Sequence, residues 1–442
     1  MTAKSNSISL ESYWMPFTAN RQFKANPRIL ASAKGMYYND INGNKIIDGT
    51  AGLWCVNAGH GRAEIASAVE QQLLTLDYAP GFQISHPIVH EFANRLIDMA
   101  PGGKESGLNH VFFTNSGSES VDTALKIAIA YQRSIGQGTR THVIGREKGY
   151  HGVGFGGISV GGLVNNRRVF PKIPASHMRH TLNIEKNAFS RGLPKHGVEL
   201  AEDLVRIIEL NGAETIAAVI VEPMSGSAGV ILPPKGYLER LREITQKHGI
   251  LLIFDEVITG FGRLGTPFAV DYFGVVPDMV TCAKGLTNGV VPMGAVFVQQ
   301  KLYDGMMNGP ESQIELFHGY TYSGHPLACA AGLATLDIYA KDDLFARTAG
   351  LAQYWQDSVF SLQDLPHVID IRTIGLVAGI ELASRDGAPS QRGYDVFVDC
   401  FNHGALVRQT GDIIALSPPL IVEKSEIDEI ISKLADAIKR VK

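Results

Sequence analysis

Six short apolar runs, at residues 110–113, 141–144, 216–221, 250–254, 279–283 and 295–298, constrain this chain more than any other feature. Most are apolar at successive positions. A strand with one wet face alternates, so unbroken runs of this length predict strands covered on both faces. Helical patterns lie between them, at 119–131, 200–210 and 237–248. Strand, helix, strand in repetition predicts a mostly parallel central sheet in a large α/β domain, because parallel strands need a crossover that packs back on the sheet.

The ends differ. Residues 36–48 predict short strands joined by a turn at Asn42-Gly43. The C-terminus closes in an amphipathic helix with Ile427, Ile430, Ile431, Leu434, Ile438 and Val441 on one face. Ser425 is its expected N-cap, with Asp428 three residues on, and Lys439, Arg440 and Lys442 complement the negative helix end. A chain of 442 residues exceeds one compact core. The expected division is a large domain over 61–325 and a smaller α/β domain built from 1–60 and 326–442.

Composition excludes several classes of function. With a net charge of −4 and its Lys and Arg dispersed, the chain lacks the basic footprint of a nucleic-acid binder. Residues 1–10 are polar, unlike a secretory signal, and no apolar run approaches the roughly 18 to 20 residues that span a bilayer. Cys55, Cys282, Cys329 and Cys400 are far apart, with no C-x-x-C and no metal-ligand pattern. Reduced, mostly buried thiols in a cytoplasmic protein are expected. Gly260-Phe-Gly-Arg-Leu-Gly265 spells the dinucleotide fingerprint, but that motif must run from a strand directly into a helix. Here five residues follow the strand first, and Thr266-Pro267 comes next, so a turn-rich loop is expected.

The chemistry gathers at the strand ends. Asp255 closes the run at 250–254, at the carboxyl edge where open α/β sheets bind ligands. Lys284 closes the run at 279–283 and would point into the same crevice; lysines in such places do Schiff-base chemistry when their neutral form is favoured. Thr114-Asn-Ser-Gly-Ser118 joins a strand to a helix expected from Glu119, offering small residues and a helix N-terminus to an anion. Tyr150, between glycines in Gly149-Tyr-His-Gly152, suits a stacking platform for a flat ligand. Each has a plain alternative: an ion pair for Asp255, a surface lysine for Lys284, an N-cap for Ser118, a turn aromatic for Tyr150. Together they make a phosphate cup, a ring platform, a carboxylate and a lysine, the parts that pyridoxal phosphate (PLP) needs.

At these residues the sequence resembles the class III aminotransferases of PLP fold type I. The likeness is carried by Asn115-Ser-Gly-Ser-Glu-Ser120, Gly149-Tyr-His-Gly152, Phe254-Asp-Glu-Val-Ile-Thr-Gly-Phe-Gly-Arg263, Ala283-Lys-Gly285 and His318-Gly-Tyr-Thr-Tyr-Ser-Gly-His325. Within the class, Lys45-Ile-Ile-Asp-Gly-Thr-Ala-Gly-Leu-Trp-Cys55 and Leu406-Val-Arg-Gln-Thr-Gly-Asp412 are most similar to ω-amino acid:pyruvate and (S)-amine:pyruvate transaminases. The resemblance implies PLP held by Lys284, which also acts as general acid and base. It implies Asp255 on the ring nitrogen, Tyr150 and Val257 on the two ring faces, and Ser116, Gly117 and Ser118 on the phosphate. Thr321 would complete the phosphate cup from a neighbouring subunit, which implies a homodimer with shared active sites and leaves a tetramer open. Glu222 should lie beside the cofactor. Arg408 should bind the substrate carboxylate and swing aside for donors without one, while Leu53, Trp54, Phe17, Phe82 and Tyr150 wall the donor. A core role is the alternative for Trp54. The implied activity is ping-pong transfer of an amino group from an ω-amino acid or amine to pyruvate. Other class III specificities, towards diamines or 4-aminobutyrate, a racemase or aminomutase of the same fold, and a binding role without catalysis are the alternatives.

Overall fold

The computed structural model describes residues 9–442, so the first eight residues of the expected N-terminal segment lie outside it. Among the described residues fifteen strands form three sheets. Near the N-terminus run β1 (Leu30–Lys34), β2 (Tyr37–Asp40) and β3 (Lys45–Asp48). The central sheet holds β4 (His110–Thr114), β5 (His142–Arg146), β6 (Ala175–Met178), β7 (Ile216–Val221), β8 (Leu251–Asp255), β9 (Met279–Cys282) and β10 (Gly294–Val298). Last come β11 (Val368–Ile374), β12 (Val377–Leu382), β13 (Ala405–Leu406), β14 (Arg408–Thr410) and β15 (Ile413–Leu416).

The central sheet has the order β4-β10-β9-β8-β7-β5-β6. β10 is antiparallel to both its neighbours, and every other pair is parallel. This is the mostly parallel sheet that the apolar runs predict. β7, β8, β9 and β10 are buried along their whole length. Their period of two divides the core: Ala218, Ile220, Leu251 and Ile253 face one hydrophobic cluster, while Val219, Val221, Leu252 and Phe254 face the other. Helix Gly117–Ser134 buries Val121, Ala124, Leu125, Ile127 and Ala128 against the first of these faces. β6, which no expected run covers, is a short edge strand of sequence Ala-Ser-His-Met, too polar and brief to stand out.

The two smaller sheets draw on both ends of the chain. β2 and β3 form the expected hairpin, with Tyr38 opposite Ile46 across the turn. β13 joins that sheet in parallel, Ala405 beside Ile47 and Leu406 beside Asp48. β11, β12, β15 and β14 make the third sheet. Helix Lys424–Arg440 buries Ile427, Ile430, Ile431, Leu434 and Ile438, as its pattern predicts. Its start is corrected by two residues: Glu423 is the N-cap and closes a capping box with Glu426, in place of Ser425 and Asp428. Carboxylates accept the orphan N–H groups at least as well as a hydroxyl, so the acidic pair upstream prevails. Among the described residues no helix is long and apolar enough to cross a membrane, and the four cysteines are unpaired, three of them buried.

Candidate active site

β4, β5, β7, β8 and β9 all run in one direction, so their carboxyl ends share one edge of the sheet. Outside that edge opens a cavity of about 670 Å³, a size suited to a cofactor and a small substrate. Its lining includes Phe17, Leu53, Trp54, Gly117, Ser118, Tyr150, Glu222, Asp255, Val257, Lys284 and Arg408. Sequence reasoning named all eleven. The segment 257–267, which holds the misleading glycines, is a run of turns and bends that no helix follows until Ala269.

Asp255 ends β8 with its carboxylate almost wholly buried. Oδ1 accepts from the Val257 N–H at 3.2 Å and the Thr281 hydroxyl at 3.2 Å, and Oδ2 meets Nδ1 of His151 at 2.8 Å. His151 is buried too, and its Nε2 has no partner among the described residues. Sequence reasoning quoted His151 in its motif but gave the motif to Tyr150. A histidine between two glycines carries no spacing that would tie it to a carboxylate 104 residues away.

Two residues past β9, Lys284 opens a 3₁₀ turn with φ at +51°, a left-handed backbone that a side chain adopts only when neighbours enforce it. They do: Asn288 Oδ1 accepts from the Ala58 N–H at 2.8 Å, and the Tyr339 hydroxyl donates to the Gly285 carbonyl at 2.6 Å. Burial pushes the Lys284 ammonium below its ordinary pKa, and the carboxylates of Asp255 and Glu222 oppose this only in part. Glu222, which follows β7, finds its partners in the backbone: its carboxylate accepts from the Tyr150 N–H at 2.9 Å and the Gly226 N–H at 3.1 Å. Burial raises its carboxyl to about 7.

The helix at the phosphate turn starts at Gly117 rather than Glu119, and its N-cap is Ser116, whose Oγ accepts from the Glu119 N–H at 3.2 Å. Ser118 therefore lies inside the first turn, and its hydroxyl accepts from the Val153 N–H at 3.1 Å. Gly117 faces Val257 so closely that a Cβ there would sit 2.9 Å from either γ-methyl. Ser116 itself stays behind the cavity wall.

Arg408 begins β14 at the mouth, exposed, and no hydrogen bond to a described residue engages its guanidinium. Trp54 meets both expectations. It is buried in a cluster with Met224, Ile258 and Ala415, and it lines the cavity. Phe82 and Thr321 do not line this chain's cavity. Both pack against neighbours away from it: the Phe82 ring lies on Gly319, and the Thr321 carbonyl accepts the Tyr78 hydroxyl at 3.0 Å. The lining also includes Asn165 and Asn166, in a short helix that no motif covers, and Gln409 and Thr410 of β14, whose motif was given to Arg408 alone.

The residues present fit PLP. A partly buried lysine, a buried carboxylate held from three sides, and a helix N-terminus kept open by a glycine converge on one cavity. Among the described residues no cluster could hold a metal ion instead.

The family described as Aminotransferase class-III matches residues 18–438. The chain is 58% identical to an omega-aminotransferase of Caulobacter vibrioides, over 98% of each chain. It is 48% identical to a beta-alanine–pyruvate aminotransferase of Pseudomonas aeruginosa, over 99% of this chain and 97% of the relative. In three dimensions it is similar to a PLP-bound amine transaminase from an uncultivated Pseudomonas species, with a TM-score of 0.91 at 35% identity over 98% of this chain and all of that one.

Proposed function

The chain belongs to the class-III aminotransferases, and on that premise we propose that it moves an amino group from an ω-amino acid or primary amine to pyruvate, in a pocket completed by a second copy of itself. The observation that carries this reading is the partly buried Lys284, in one cavity with Asp255 at the back and Arg408 at the mouth. PLP, when bound, supplies an aldehyde that captures amines and a ring that withdraws electrons from the carbon next to the nitrogen.

Gly117 and Ser118 would hold the phosphate on the helix N-terminus that Ser116 caps from behind, and Tyr150 and Val257 would cover the ring. Asp255 would accept from the ring nitrogen, fixed in place by Thr281, the Val257 N–H and His151. Lys284 would anchor the cofactor and, when free of it, would take and return a proton at Nζ. Burial serves that task, because it disfavours the ammonium and leaves Nζ free to accept a proton at lower pH than an ordinary lysine.

Arg408 is free to take the carboxylate of the keto acid through two parallel hydrogen bonds. Its place at the mouth lets it turn to solvent when the donor has no carboxylate, so one pocket serves both half-reactions. Phe17, Leu53, Trp54 and Tyr150 make the apolar wall around the donor. Phe82 and Thr321 belong to a surface where Tyr78, Phe317 and Tyr322 are exposed, and exposed aromatics gathered in this way mark an interface. A homodimer brings Thr321 to the phosphate and Phe82 to the donor wall of the other copy. Such dimers can pair into tetramers. Four unpaired cysteines support a cytoplasmic enzyme.

The test is a panel of amine donors with pyruvate, scored by alanine formed and by the change in cofactor absorbance on adding donor alone. Both signals are expected from the parent protein, and no alanine from Lys284→Ala. A Lys284→Ala protein that turns over like its parent overturns the proposal.

A further inference from the structure

The segment that carries Leu53 and Trp54 to the cavity is the most contorted stretch of backbone near it. Ala51, Gly52 and Trp54 have φ of +47°, +69° and +63°, two of them on residues with a Cβ. Left-handed conformations on such residues persist only where the surroundings over-determine them. Apolar contact holds Trp54 and Ala51, which are buried, but not Leu53, which is half exposed, so packing alone does not account for the whole turn.

One buried carboxylate does impose it. Asp48, at the end of β3, is wholly shielded from solvent. Its Oδ1 accepts from the Thr50 N–H at 2.9 Å and the Thr50 hydroxyl at 3.1 Å. Its Oδ2 accepts from the Gly52 N–H at 2.7 Å and meets Nε2 of His60 at 2.8 Å. The Thr50 hydroxyl also reaches the Gly52 carbonyl at 2.8 Å, and the Tyr38 ring packs 4.3 Å from the His60 ring. Hydrogen bonds to a charged acceptor are about twice as strong as neutral ones, and a buried carboxylate stripped of a partner is costly. The turn and the carboxylate therefore hold each other. The same strand end reaches the other side of the cavity mouth, because the Gly49 N–H donates to the carbonyl of Leu406, two residues before Arg408.

We propose that Asp48, with His60 and Thr50 around it, is the positioning residue of the donor wall, and that it sets the size of amine admitted by fixing where Trp54 stands. Asp48 lies behind the turn and does not line the cavity. The inference rests on the assignment of Leu53 and Trp54 as wall residues, and the experiment separates the two.

The measurement is the ratio of kcat/KM for a bulky arylalkyl amine, 1-phenylpropylamine, to that for β-alanine, with pyruvate as acceptor and PLP-loaded protein. Trp54→Ala, Asp48→Asn and Thr50→Ala are each expected to raise the ratio by about tenfold, the low end of what an apolar wall discriminates. Thr50→Ser, which keeps the hydroxyl, is expected to retain the parent ratio. In the Trp54→Ala background, Asp48→Asn is expected to add nothing, because the side chain it positions is gone. If Asp48→Asn does not fold, Thr50→Ala decides in the same comparison. A ratio unmoved by Trp54→Ala overturns the wall assignment and the inference with it. A ratio that moves with Trp54→Ala but not with Asp48→Asn or Thr50→Ala, or an additive double variant, overturns the inference alone.

Discussion

Gly117 and Val257 show how little room the site leaves at the scale of single residues. A methyl group on Gly117 would have to displace Val257, which sits 2.9 Å from where the new carbon would stand. Overpacking of this kind costs roughly 1–3 kcal/mol, and about 1.4 kcal/mol is tenfold in affinity. Gly117→Ala is therefore expected to raise the Kd for PLP by about tenfold or more in a titration followed by absorbance, while the fold survives. A second residue carries a prediction on pH. Glu256 lies outside the cavity, its carboxylate accepting from the Ala269 and Val270 N–H groups and the Thr259 hydroxyl. Burial raises it to about 7, above its unfolded value of 4.5. The folded protein thus binds this proton more tightly, so the associated stability is complete below pH 4.5 and is lost as pH rises through about 7. Glu256→Gln, which cannot titrate, is expected to lie further below its parent in Tm at pH 5 than at pH 8. A constant gap across that range would contradict the assignment.

Among the elements, the helix Gly117–Ser134 joins fold and chemistry most directly. Ser116 caps it, and removing such a cap costs about 1 kcal/mol. Ser116→Ala is expected to lower Tm slightly and to weaken PLP binding more than a distant cap change of equal cost, because the N–H groups it orders are those offered to the phosphate. The start of this helix, at Gly117, lies two residues before the Glu119 that the sequence pattern predicts. Thr114 to Ser118 are small polar residues that suit cap, turn and helix alike, and the deciding contact, Gly117 on Val257, comes from a segment 140 residues away. By contrast, β7 and β8 were legible to within a residue, because full burial on both faces leaves an uninterrupted apolar run. Lys284, Asp255 and Tyr150 were legible for the same reason: each follows one of those runs. His151 and the Asp48 turn were not, since their partners are set by tertiary packing and leave no periodic trace.

For the whole molecule, we propose that residues 1–60 and 326–442 form one unit around the two small sheets, against a PLP-binding unit over 61–325. β13 beside β3 supports this division. The proposed dimer makes a stronger demand. If Thr321 serves the site whose lysine lies on the other chain, mixing Lys284→Ala with Thr321→Glu gives heterodimers in which one site has both lesions and the other has none. Co-refolded in equal amounts, two nearly inactive proteins are expected to recover roughly a quarter of parental activity through random pairing. Recovery at the level of either variant alone would mean that each chain's site is its own. Beneath this lies the central claim, that Lys284 carries the cofactor, and one measurement reaches it directly. The PLP-loaded protein is reduced with borohydride, digested and mapped by mass spectrometry. The predicted result is a single pyridoxyl group on the peptide containing Lys284. A label on another lysine, or none at all, would contradict it.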